Sequence, residues 1–301
     1  MDGLWNFLFG PAPIRWIQEF FGLGHPLPFR AFSLIGDTWG IILVIGVAFW
    51  LFGRRTAYAT IGIVLLGAAT KVLLSNIFQQ SRPSEAAVVV YQHLQIGSFP
   101  SGHVYETVGP WGLLFALGCV PFWVPVIATL LVGVGRLYLG AHFLGDVLGG
   151  IFFGVLLVGI YHMAWPHFYS WVKRRGPRFF LVSGVVILAC VAVSIVVAAD
   201  PNPRRFEILG LVAGGSLALI MERRLVGGSP PVSIVAAVVR VLVGAAGIFA
   251  FLLLDRFADP DAAFLGIFTA GAATMWAILA SKMYGAGPPW QEPGSLRDVS
   301  E

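Results

Sequence analysis

Three short stretches carry residues that can do chemistry together: Arg82-Pro83, Phe99-Pro100-Ser101-Gly102-His103, and Gly135-Arg136 followed by His142 and Asp146. Hydrolysing a phosphate ester without a metal requires cations and donors to hold the phosphoryl oxygens, an in-line nucleophile, and an acid for the leaving oxygen. Arg82 and Arg136 are planar, permanently charged forks that match phosphate oxygens bidentately. Ser101 and Gly102 offer a hydroxyl and a backbone free of side chain at the expected start of a helix, where unpaired amides and the helix dipole favour an anion.

His142 and Asp146 are four apart, so on a helix they share one face. The carboxylate can accept one ring N–H of His142, fix its tautomer, and stabilise the cation formed when the other nitrogen takes a phosphoryl group. His103 then remains as the acid for the leaving group and afterwards the base for water. Each stretch alone is weak: Pro-Ser-Gly is ordinary turn chemistry, and an Arg or His near a helix end commonly anchors at an interface. Their joint occurrence, in order and at helix ends, carries the reading.

The elements that position these groups are apolar. Hydrophobic residues make up 57% of the 301 and charged residues 11%. The mean hydropathy is +0.83, well above a soluble domain, whose apolar share is roughly 45–50%. A membrane-crossing helix takes about 20 mostly apolar residues. That template predicts an all-α, polytopic transmembrane bundle of about nine helices, at roughly 39–52, 57–78, 104–117, 122–139, 142–165, 179–199, 206–221, 232–254 and 262–283. The expected organisation is an interfacial N-terminal segment (1–36), a catalytic helical core (37–166), C-terminal transmembrane helices (167–283) of which the first can complete the core, and a polar tail (284–301).

Nine alternating helices bring Arg54-Arg55, Lys173-Arg174-Arg175, Arg178, Arg223-Arg224 and Lys282 to one side, which the positive-inside rule makes cytoplasmic. Arg82, His103, Arg136 and His142 fall on the opposite side. The net charge of +4 is dispersed in short clusters between apolar runs, which excludes a nucleic-acid partner. Cys119 and Cys190 read as small core residues without metal-ligand spacing, and no metal is expected.

No basic region precedes the first apolar stretch, so a cleaved signal is not expected. Residues 4–23 instead fit one or two interfacial helices, or an aromatic arm packed on the protein's own surface. The apolar loop 84–99 can dip into the interface or cap the site. Asp37 and Glu106 are placed to cap helix starts, and Glu106 equally to tune His103 or meet a head group. Gly210, Gly214-Gly215, Gly244 and Gly247 allow tight contact in the C-terminal helices, which can serve as scaffold, homodimer surface or lipid path. Arg240, deep in its helix, is expected to pair with Glu222 or to snorkel.

The three stretches resemble the type 2 phosphatidic-acid phosphatase superfamily of membrane lipid phosphatases. The resemblance spans about residues 36–165, roughly half of the chain. It implies a core bundle of about six helices working without metal or cofactor, with His142 as nucleophile, Asp146 as its partner and His103 as acid and base. Arg82, Arg136, Ser101 and Gly102 would form the phosphate cradle. The family carries a lysine seven residues before the arginine. Here that position is Ser75, and Lys71 lies one turn earlier. On a helix continuous to Arg82, Lys71 is about 16 Å of rise away. Either the helix is kinked near Ser75-Asn76, or Lys71 is structural, or the site runs with one cation fewer.

The expected activity is metal-independent hydrolysis of a lipid phosphate monoester or diphosphate through a phosphohistidine, at the non-cytoplasmic face of a bacterial inner (cell) membrane. Phosphatidate, prenyl diphosphate and sphingoid phosphate are the substrate classes that fit. A phosphotransferase using the same phosphohistidine and a non-catalytic lipid-phosphate binding or transport protein are the alternatives.

Overall fold

The structure, a computed structural model, describes residues 2–93, 97–175, 213–215, 233–256 and 263–280. Among them every regular element is helical: α1 (Asp2–Leu8), α2 (Ala12–Phe21), α3 (Pro26–Ser33), a 3₁₀ turn (Leu34–Gly36), α4 (Thr38–Val47) running into a π-helical stretch (Ala48–Phe52), α5 (Arg54–Phe78), α6 (Gly102–Ala116), α7 (Trp123–Tyr138), α8 (Leu144–Lys173), α9 (Ile234–Arg256) and α10 (Ala263–Leu279).

Seven of the nine expected apolar segments coincide with helices. The other two, 179–199 and 206–221, lie outside the described residues apart from 213–215. Nine crossings do not follow from this. Among the described residues, α5, α8 and α9 are long and apolar enough to cross a membrane, with a fourth span if the bent pair 26–36 and 38–52 is one unit. At 15 and 16 residues, α6 and α7 rise only about 23 Å, short of the roughly 30 Å hydrocarbon core.

The chain forms two compact units, one from residues 1–45 and 58–200, the other from 46–57 and 201–301. In the first, α6 lies against α7 and α8, and α3 runs along α7. Val104 and Val108 of α6 pack with Ile14 and Ile17 of α2, Phe29 of α3 and Val132 of α7. Tyr105 and Leu113 instead face Ile63 of α5 with Leu157 and Trp165 of α8. Apolar all round, α6 is the central helix of this unit. Both readings of the N-terminus find a face: Ile14, Ile17 and Gln18 of α2 are buried, while Trp16 and Phe20 stand 68% and 71% exposed.

The loop after α5 caps α2 and the end of α7. Gln18 Nε2 donates to Val89 O at 2.7 Å and to Tyr138 O at 2.8 Å, and Tyr91 N donates to Leu139 O at 3.0 Å. Gly140, at φ +64°, makes this closure possible, because a Cβ there would stand 2.4 Å from Val89 O.

In the second unit the glycine spacing serves ring docking. A Cβ on Gly244 would meet the Trp50 ring at 2.2 Å, and one on Gly247 would meet Trp276 Nε1 at 2.0 Å. Trp50 Nε1 donates to Ala277 O at 2.7 Å. Arg240 is 2% exposed; Glu222, its expected partner, lies outside the described residues. Cys119 is only partly buried, in the turn after α6, and Cys190 is not described.

Candidate active site

Lys71 and Arg82 do not share a helix. Helix α5 ends at Phe78, and Gln79 at φ +44° turns the chain, so the 16 Å separation of a straight helix does not apply. The loop ends are tied together by Ser98 N donating to Gln80 O at 2.8 Å and Ser98 Oγ donating to Ser81 O at 2.9 Å. The start of α6 is pinned to the first turn of α8, where Ser101 N donates to Asp146 O at 2.9 Å. Arg136 sits in the last turn of α7, His142 in the short connection beyond it, and Asp146 in the first turn of α8. Four chain segments thus converge through backbone hydrogen bonds before any side chain is considered.

His142 Nδ1 lies 3.5 Å from Asp146 Oδ2, with the two side chains 3% and 0% exposed. Oδ2 also accepts Phe143 N at 2.8 Å, and Oδ1 accepts Ser98 Oγ at 3.1 Å. On the other edge of the ring, Arg82 Nη1 lies 3.3 Å from His142 Nε2 while donating to Ala141 O at 2.7 Å. A carboxylate beside Nδ1 and a permanent donor beside Nε2 both select the tautomer with the proton on Nδ1 and a lone pair on Nε2. Burial first, then the positive charges of Arg136 and Arg82, hold His142 well below the ordinary imidazole value of 6.5, which keeps the ring neutral. Burial pushes Arg82 down to about 10 against the pull of Asp146, and it stays charged at neutral pH.

Arg136 is fully buried, and its Nη1 donates to Gln92 Oε1 at 2.6 Å. Ser101 Oγ is buried, has no hydrogen-bond partner, and does not cap its own helix. A buried hydroxyl left in that state is costly unless something accepts from it. Lys71 lies beside Gly102, where a Cβ would stand 2.6 Å from Nζ and 2.5 Å from Cε. Its ammonium is 3.5 Å from Glu106 Oε1, and its charge is felt at His142. Glu106 thus faces Lys71. His103, 4% exposed, has Nε2 3.9 Å from Asp37 Oδ2, and Asp37 Oδ1 caps α4 by accepting Thr38 N at 2.7 Å.

The eight residues expected at the site therefore lie on α5, α6, α7, α8 and the connections that these hydrogen bonds draw together. Three further side chains join them. Ser98 orients Asp146, Gln92 engages Arg136, and Asp37 faces His103 as well as capping. Asp37, like Glu106, is readable in the sequence as either a cap or a group at the site. Ser98 and Gln92 lie in a loop without periodicity, where no pattern marks them. Among the described residues no group of three or more His, Cys, Asp or Glu is placed to hold a metal ion.

Imidazole, carboxylate and guanidinium groups are thus brought together, buried, at one end of an apolar helical unit, a grouping chemically suited to an anion. Residues 56–169 match the family model of the PAP2 superfamily. Phosphatidylglycerophosphatase B of Bacillus subtilis (strain 168) is 34% identical over 132 residues, covering 39% of this chain and 62% of the relative. The chain thus spans 62% of the length of that relative. A crystal structure described as the first transmembrane PAP2 type phosphatidylglycerolphosphate phosphatase, from Bacillus subtilis, shares 23% identity at a TM-score of 0.39, over 55% of this chain and 88% of that one.

Proposed function

We propose that the protein hydrolyses a lipid phosphate through a phosphohistidine on His142, at the non-cytoplasmic face of a cell membrane. The observation that carries this reading is the His142 ring held between Asp146 at Nδ1 and Arg82 at Nε2. Substrate phosphate draws Arg82 onto its oxygens and uncovers the Nε2 lone pair. Nε2 attacks phosphorus, the P–O bond to the lipid breaks, and His103 gives its proton to the leaving oxygen. Water then attacks the phosphohistidine, His103 takes the water proton, the P–N bond breaks, and phosphate leaves with His142 restored. Arg82, Arg136, Ser101 and the amides at the start of α6 hold the charge that develops. The name of the similar Bacillus protein makes phosphatidylglycerol phosphate the first substrate to try, and the apolar helices around the site suit a substrate with its tail in lipid. The basic clusters and the helix alternation expected from the sequence support the non-cytoplasmic face.

The test is phosphate release by detergent-purified protein, with chelator present, from phosphatidylglycerol phosphate, phosphatidate, a prenyl diphosphate and a sphingoid phosphate. Release that survives the chelator is expected. An absolute requirement for a divalent metal defeats the mechanism.

Lys71→Ala and Ser75→Ala separate the two candidates for the family's lysine. With its ammonium at the start of α6, Lys71→Ala raises KM by roughly 10–100-fold, the worth of one charge-assisted hydrogen bond, while Ser75→Ala stays near wild type. Equal effects defeat a phosphate role for Lys71.

Asp37 is a positioning residue in this reading. Asp37→Asn keeps an acceptor for Thr38 N but removes the carboxylate that faces His103 Nε2. A fall in kcat of about tenfold is expected, with KM little changed and Tm within a few degrees of wild type. An unchanged kcat leaves Asp37 as a cap alone.

A further inference from the structure

An apolar cleft of about 250 Å³ lies between α4, α6 and α7, lined among others by Ile35, Leu43, Trp111, Trp123, Ile127 and Leu131. Its position along all three helices agrees. Helices α4 and α6 both begin at the site, with Asp37 just before the first and His103 opening the second. Helix α7 runs the opposite way and reaches the site at Arg136. Leu43 is six residues into the membrane from Asp37, Trp111 eight from His103, and Leu131 five from Arg136, which is about 8–12 Å of rise in each case. Trp123, at the far end of α7, lies about 20 Å down.

With Ile35 and Gly40, two residues before and three after Asp37, also in its lining, the cleft runs from near the level of Asp37 away from the phosphate cradle. Trp123 and Ile127 are 54% and 49% exposed, so its outer wall gives onto the apolar surface of the unit. It carries one polar feature. Trp111 Nε1 is buried without a hydrogen-bond partner, whereas a buried indole N–H ordinarily finds one. The side chain of a helical residue leans back toward the helix start, which for Trp111 is toward His103.

We infer that this cleft holds a hydrocarbon chain of the lipid phosphate, and that Trp111 donates to an ester carbonyl at the head of that chain. The inference rests on the phosphatase reading above, because His103 protonates the leaving oxygen and the lipid must then depart on the His103 side. It goes further in naming the ligand class as an acyl-ester glycerolipid: an isoprenoid or sphingoid chain offers no ester acceptor there. The cleft fixes the tail laterally while the cationic cradle fixes the phosphate.

Steady-state kinetics on the full chain in detergent test it, with three substrates: p-nitrophenyl phosphate, a diacyl phosphatidate, and its ether-linked analogue. Leu43→Trp and Ile127→Trp, which fill the cleft from two helices, are expected to raise KM at least tenfold for both lipids and to leave p-nitrophenyl phosphate within twofold. Trp111→Phe raises KM about fivefold or more for the ester lipid only. A filling variant that depresses all three substrates alike reduces the cleft to packing and overturns the inference, as does a Trp111→Phe protein that treats ester and ether alike.

A second measurement does not depend on turnover. A phosphatidate with a diazirine in its acyl chain is expected to label Ile127 and Leu131, and Leu43→Trp to suppress that labelling by at least half. Labelling no stronger than at the exposed Phe152 and Val155 of α8 overturns the inference. A wild-type protein that hydrolyses none of the three phosphates yet shows the labelling defeats the phosphatase reading and leaves the lipid site standing.

Discussion

His142→Ala is expected to lower kcat by about 10⁴-fold or more while leaving KM within a few-fold, because it removes the atom that bonds to phosphorus and none of the groups that hold the phosphate. Loss of a nucleophile in a well-studied triad costs about 10⁶ in kcat, with the residual rate coming from the anion-binding groups alone. The substitution is structurally mild. Arg82 Nη1 keeps Ala141 O and Nη2 keeps Gly97 O at 3.2 Å, so the loop stays tied. Brief incubation of the wild-type protein with ³²P-labelled substrate, followed by an alkaline quench, should trap an acid-labile phosphoenzyme that the variant lacks. Turnover that persists without His142 sinks the mechanism. The pH dependence supplies a second reading. The attacking ring must be neutral, and burial with two nearby guanidinium groups holds it neutral to well below pH 6.5. For the free enzyme the acid limb of kcat/KM that belongs to His142 therefore lies below 6.5, and activity is lost as pH falls through it.

How much of this was legible beforehand depended on the range of the interaction. Positions set by neighbours in sequence were readable: His142 and Asp146 share a turn, Ser101 and Gly102 open a helix, and the apolar runs predict the helices that carry them. The glycines at 244 and 247 announced close approach, though not that tryptophan rings fill the space. Positions set by chain reversal were not readable. Extending α5 to Arg82 looked natural, yet Gln79 takes a left-handed conformation that a glutamine does not signal, and the turn brings Lys71 to the start of α6 by tertiary packing. Gln92 reaches Arg136 across 44 residues and Ser98 reaches Asp146 across 48. Such pairs leave no trace in periodicity. The number of crossings is not settled by hydropathy, which registers burial in protein as readily as burial in lipid: α6 is apolar and lies at the centre of its unit.

Asp146→Asn separates the charge of the carboxylate from its geometry. Three groups point at Asp146: Phe143 N and His142 Nδ1 at Oδ2, and Ser98 Oγ at Oδ1. An asparagine can satisfy all three with its oxygen in the Oδ2 place and its NH₂ in the Oδ1 place. Ser98 Oγ has one proton and two acceptors within reach, Asp146 Oδ1 and Ser81 O; in the variant it can give that proton to Ser81 O and accept from the amide with a lone pair. The flipped amide would set NH₂ against Phe143 N–H and is disfavoured. The Nδ1–H tautomer and the fold are therefore kept, and what disappears is the negative charge facing a ring that becomes cationic once phosphorylated. The expected result is a fall in kcat of about 10²–10⁴-fold, below or equal to the roughly 10⁴ seen when an analogous triad loses its carboxylate together with the right tautomer. Tm should move by no more than a few degrees. Asp146→Ala serves as the contrast, because it strands the buried Phe143 N–H, at about 1–3 kcal/mol for a group left unsatisfied, and should lower Tm as well as kcat. An asparagine variant with kcat within threefold of wild type would mean that the charge of Asp146 takes no part in the reaction and only holds the loop in place.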